Sequence, residues 1–189
     1  MAVDFRDEAP AILKDYLIYK QTIKNMSKKT IDEYFIDLRT FFRFLKVMRG
    51  LAPDGTEFDE IKIDDVDLDL IKTVNLELAY DYMNFLYRDR NNKSASRARK
   101  CSSLKGFFKY ITNNKHLLDT NPVEQLESPK NKKALPKYLT LEQSIELLNA
   151  VDGNNKQRDY CILTLFLNCG LRVLSLIHIS EPTRLRCIS

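Results

Sequence analysis

Between Lys28 and Met48 the apolar residues Ile31, Tyr34, Phe35, Leu38, Phe41, Phe42, Leu45 and Met48 recur at intervals of three and four. That period lines one face of an α-helix, and a stripe this long and aromatic requires other elements to cover it. Ser27 stands where an N-cap accepts from the first free backbone N–H groups, and Gly50 followed by Pro53-Asp54-Gly55 ends the segment in a turn. An aromatic stripe of this kind is packing, so it is assigned to the centre of a helical core and given no chemistry.

Other segments repeat the pattern. A first helix is expected from about Pro10 to Lys24, with Ile12, Leu13, Tyr16, Leu17 and Ile23 inward. One follows Asn75, burying Leu78, Ala79, Tyr82, Phe85 and Leu86, and another runs from a Ser94 cap to about Thr112, burying Cys101, Leu104, Phe107, Phe108 and Ile111. Pro122 opens a short helix after Asn121. The acidic stretch from Glu57 to Asp69 alternates Ile61, Ile63, Val66 and Leu68. Its pattern fits a strand or an irregular connection with a helical turn, and it is read as a solvated linker. After two prolines, Thr140 and Gln143 have the spacing of a capping box, with Leu147, Leu148 and Val151 inward. Asp152-Gly153-Asn154-Asn155 closes that helix, and an apolar one from Arg158 to Asn168 runs on toward Gly170. The fold class is therefore all-α.

No stretch has the length and apolarity of a membrane span, and Met1 to Glu8 lacks an apolar signal region. A cytoplasmic location is expected, with no membrane partner. Cys101, Cys161, Cys169 and Cys187 show no metal-ligand spacing, and His116 and His178 are isolated. No metal or other cofactor is expected, and the first three thiols read as buried small hydrophobes.

Charge is divided along the chain. Asp54 to Asp89 holds three basic residues against eleven acids, whereas Arg90 to Lys137 holds twelve against three. Ala95, Arg99, Ser102, Gly106 and Lys109 form a small-and-basic stripe opposite the apolar face of their helix, and no acid occurs between Arg90 and His116. A polyanion-binding face and a solvated face both fit such a stripe; the one-sided charge favours the first. The acidic stretch would repel a polyanion and orient the domain. Ser128 to Pro136, with Lys130, Lys132 and Lys133, reads as a basic interdomain linker.

These residues resemble the tyrosine recombinases, the Xer-type and phage-integrase family. The resemblance rests on Ser27 to Arg39, Ser94 to Ile111, Asn121-Pro122, the Leu-Pro-Lys-Tyr-Leu-Thr run ending at Thr140, Arg158-Asp159, and Gly170-Leu171-Arg172-Val173. Their order spans nearly all of residues 9 to 173. The resemblance implies a helical, SAM-like core-binding domain over 1–127, a linker over 128–138 and the first helices of a catalytic domain over 139–173. It implies a double-stranded DNA partner met by Lys28, Lys29, Thr30, Ser94, Ser96, Arg97, Arg99, Lys100, Ser102, Ser103, Lys105 and Lys109, with Lys130, Lys132 and Lys133 strapping the backbone. It also implies assembly of the parent protein as a tetramer on DNA, with no small-molecule ligand.

Arg172 matches the family's first catalytic arginine, which neutralises the phosphate attacked by a tyrosine hydroxyl; the alternative is a structural arginine paired with Asp159. The family's remaining catalytic residues lie beyond this point, and no tyrosine follows Arg172. Tyr138 and Tyr160 precede it and read as packing residues. The family continues Ser-Glu-Leu where this chain has Leu174-Ser175-Leu176, and LSLIHISEPTR from Leu174 to Arg184 resembles a translated sequencing adapter. Residues 174–189 are therefore expected to be non-native, a natural frameshift or divergent tail being the alternative. The expected function is that of a DNA-binding fragment of a site-specific recombinase, itself unable to cleave. The alternative is a helical interaction module without a nucleic-acid role.

Overall fold

A computed structural model describes residues 8–53, 55–130, 137–172 and 175, and the chain divides into two compact units, Met1–Lys132 and Lys133–Ser189. Among the described residues every regular element is helical.

In the first unit, α1 spans Ala11–Thr22 and α2 Lys28–Met48. The Ser27 side chain caps α2 by accepting from the Thr30 N–H at 3.3 Å. A 3-10 turn at Phe58–Glu60 leads to the short α3, Leu68–Lys72. Asp67 caps α3, and Asn75 caps α4, Leu76–Arg88, each accepting at 2.8 Å. The last helix of the unit, α5, is Ser94–Asn113. Its cap is Lys93, which holds the extended conformation, so Ser94 is the first helical residue rather than the expected cap.

The three-and-four stripe of α2 is covered by α1 on one side and α5 on the other, while α4 packs on α5. Tyr16, Phe35, Phe41, Phe42, Tyr82, Phe107 and Phe108 are all fully buried. Their rings meet edge to face: Phe42 and Phe107 lie 5.5 Å apart at 83°, and Phe41 and Tyr82 5.1 Å apart at 77°. This arrangement sets the positive edge of one ring on the negative face of the next, adding about 0.5–1.5 kcal/mol per pair beyond burial. Ile23 and Met48, expected inside, are exposed because each lies at or beyond its helix end, and Phe44 is buried in addition.

Three further expectations are corrected. The acidic stretch is not merely a solvated linker: Ile61, Ile63 and Val66 are buried, while its acids stay exposed and two of them brace basic residues of other helices. Asp65 accepts from the buried Lys46 Nζ at 2.7 and 2.8 Å, and Asp59 pairs with Arg43 and Arg90. Pro122 opens a turn rather than a helix, held by the Asn121 side chain accepting from the Val123 N–H at 3.1 Å, with Val123 and Leu126 buried. Gly106 lies against α1 rather than on an open stripe: a β-carbon there would stand 2.8 Å from the Tyr16 hydroxyl.

In the second unit, α6 spans Leu141–Asn149 and α7 Lys156–Cys169. The capping box forms in full, Thr140 accepting from the Gln143 N–H and Gln143 accepting from the Thr140 N–H. No described residue here is fully buried: Leu148 and Val151 are half-buried as the inward side, Leu147 is exposed, and Cys161 and Cys169 are exposed thiols. Two short helices have too little mutual surface to enclose side chains.

Candidate nucleic-acid interface

Where α2 and α5 run side by side, the carboxylate of Asp37 is buried with a ring of donors around it. Lys100 Nζ reaches it at 3.1 Å, the Ser103 hydroxyl at 2.8 Å and an Arg99 terminal nitrogen at 2.9 Å. A carboxylate out of water requires such compensation. Lys100 and Ser103 are thereby committed inward, although the sequence groups them with the groove-facing residues; burial of Asp37 is the reason. Arg99 differs, because its guanidinium is about half exposed and also donates to Glu33 at 2.9 Å, a carboxylate on the open side of the seam.

Around this pair lies a cleft of about 330 Å³ lined by Ser27, Lys29, Thr30, Glu33, Tyr34, Arg99, Ser102 and Ser103. Lys28, Lys29 and Thr30 are exposed in the first turn of α2, and Ser96, Ser102 and Lys109 are exposed along α5. Ser102 donates to the Ala98 carbonyl at 3.0 Å and leaves its lone pairs outward. Four other sequence-derived candidates are placed differently. Ser94 is half-buried, and Arg97 stacks 4.7 Å over the Tyr87 ring of α4, its Nε buried without a partner. Lys105 donates to the Leu126 carbonyl at 3.0 Å, while Lys130 is exposed near the end of the unit. Lys132 and Lys133 lie outside the described residues.

Glu33 is the residue the sequence reading passed over. Its spacing of four from Asp37 places both acids on one face of α2, the signal that could have found it. Beside the cleft, Lys20 sits 5.4 Å over the rings of both Tyr16 and Tyr34, and burial lowers its pKa below the usual lysine range. Burial also pushes the Tyr16 and Tyr82 phenols up.

In the second unit, α7 stops at Gly170, whose φ of 60° lies in the left-handed region that favours glycine. Arg172 follows in non-helical backbone with its side chain exposed. Asp159 is engaged by its neighbour Arg158 at 2.9 Å. Leu174 and residues 176–189, most of the tail, lie outside the described residues.

No helix among the described residues is long and apolar enough to cross a membrane. Residues 13–115 match the family described as phage integrase, N-terminal SAM-like domain. Among curated proteins, the chain is 49% identical over 171 residues to tyrosine recombinase XerC of Caldanaerobacter subterraneus, covering 90% of this chain and 48% of the relative. Against tyrosine recombinase XerC of Syntrophus aciditrophicus it is 30% identical over 172 residues, 90% of this chain and 51% of the relative. The XerC of Leptospira interrogans is 28% identical over 169 residues, covering 87% and 48%. The chain thus spans about half the length of the curated relatives it matches. No solved structure gives a significant match.

Proposed function

This chain belongs to the phage-integrase family of tyrosine recombinases as the N-terminal part of a Xer-type member, and from that premise we propose that it grips duplex DNA along the α2–α5 seam. The observation that carries this reading is the seam itself, with exposed Lys28, Lys29 and Arg99 beside small hydroxyl residues; Lys109 is exposed further along α5, in a groove it lines with Asn121 and Glu124. Arg99 is held from beneath by Asp37, so its guanidinium meets a phosphate or base with little ordering left to lose. Lys130, exposed in the same unit, adds a further positive charge. Domain boundaries near residues 127 and 139 separate the DNA grip from the start of the catalytic domain.

Arg172 would neutralise a non-bridging oxygen of the scissile phosphate. As phosphorus becomes five-coordinate the charge on those oxygens grows, and a fixed guanidinium stabilises that state more than the ground state. The engagement of Asp159 by Arg158 supports a free rather than a structural role for Arg172. In the whole protein the nucleophile would be a tyrosine hydroxyl, the product a 3′-phosphotyrosyl bond, and the assembly a tetramer on DNA in the cytoplasm, without a cofactor.

The test is fluorescence anisotropy with a labelled duplex, using the wild-type chain and an Arg99→Ala/Lys109→Ala variant. The proposal expects affinity in the wild type and at least a tenfold loss in the variant, since each charged contact contributes on the order of 1 kcal/mol. Equal affinities would contradict it.

A further inference from the structure

Resting on the duplex-binding reading, we propose that Glu33 is a specificity-determining residue that reads cytosine in the major groove. A carboxylate only accepts hydrogen bonds, and the backbone of duplex DNA offers only acceptors. Glu33 lies on a long helix, which the major groove admits and the narrower minor groove does not, and the donors it can meet there are base amino groups: N4 of cytosine and N6 of adenine. On adenine the neighbouring N7 is another acceptor and repels the carboxylate; cytosine has a C–H there. Cytosine is therefore the base that Glu33 selects.

The geometry suits a reader rather than a stray charge. Glu33 is about half exposed and accepts from Arg99 at 2.9 Å, while Arg99 is tied by its other terminal nitrogen to buried Asp37 at 2.9 Å. Asp37 is in turn fixed by Lys100 and Ser103. The carboxylate thus sits at the end of a rigid relay, so little side-chain freedom is lost on meeting a base. Arg99 also offsets the repulsion between Glu33 and nearby phosphates.

The experiment is selection of bound sequences from a randomised duplex pool by the full chain, as wild type, Glu33→Gln, Arg99→Ala and Asp32→Asn. Wild type should enrich cytosine at one position by about tenfold over other bases. Glu33→Gln should switch that position to adenine, because an amide accepts from N6 and donates to N7. Arg99→Ala should weaken the preference, and Asp32→Asn, which removes a charge from the same helical turn, should keep it. Glu33 is exposed, so its substitution leaves the core intact, which a melting curve checks. If Glu33→Gln tightens binding to all sequences alike with the pattern unchanged, Glu33 only repels phosphate and the inference is overturned while duplex binding stands. If the wild-type chain retains no duplex at all, the duplex-binding reading fails and the inference with it.

Discussion

Asp37 on α2 accepts a 2.8 Å hydrogen bond from the Ser103 hydroxyl on α5, and both residues are buried. The bond joins the two helices that form the proposed DNA face, and Lys100 adds the opposite charge at 3.1 Å. The arrangement makes Asp37 a structural centre as well as the support of Arg99.

Asp37→Ala should therefore destabilise the chain by about 3–5 kcal/mol, because it leaves the Lys100 ammonium, whose side chain is 11% exposed, without its partner. Asp37→Asn should cost less, since an amide oxygen still accepts from Ser103. Urea midpoints for the three proteins check this order. Equal midpoints would show that water replaces the carboxylate.

Gly106 and Tyr16 offer a second test. The Tyr16 hydroxyl is buried without a hydrogen-bond partner and occupies the space a β-carbon at Gly106 would need, 2.8 Å away. Gly106→Ala should destabilise by about 1–3 kcal/mol through overpacking, outweighing the ~1 kcal/mol gain in helix propensity. Tyr16→Phe removes the unpaired hydroxyl and should be neutral or stabilising by about 1 kcal/mol. In that background Gly106→Ala should change sign and stabilise. Thermal melts of the four proteins in the cycle measure the coupling, and additive effects would contradict it.

Much of this helix packing is legible from spacing alone. The periodicity of α2, the caps at Ser27 and Asn75 and the Thr140–Gln143 box are local signals, set by residues three or four apart. What spacing cannot carry is which distant charge meets which. Lys46 and Asp65 stand 19 residues apart in sequence and Arg90 and Asp59 31, so the acids of the connecting stretch read as solvated until the fold brings their partners in. The same limit hid Glu33, whose meaning depends on Arg99, 66 residues away on another helix. Gly106 was legible as small but not as covered, because Tyr16 reaches it from α1.

Alkaline pH should expose the buried phenols. Burial raises Tyr16 and Tyr82 above their ordinary value of 10.0 in the folded chain. Their contribution is fully present below the unfolded value and is lost as pH rises through the folded one. From about pH 10 the unfolded chain releases protons that the folded chain keeps, so stability should fall by up to about 1.4 kcal/mol per pH unit for each phenol. Urea unfolding between pH 9 and about 11 checks this. Tyr16→Phe should flatten the decline, and an unchanged slope would contradict the assignment.

The central claim is that the α2–α5 seam neutralises DNA phosphates, and the most direct measurement is duplex affinity of the full chain across a range of salt concentrations. A plot of log affinity against log salt should be steep and linear, and Arg99→Ala/Lys109→Ala should reduce its slope by roughly 0.9 for each phosphate that the variant leaves unneutralised. A wild-type affinity that does not change with salt, or a variant slope equal to the wild type's, would contradict the account.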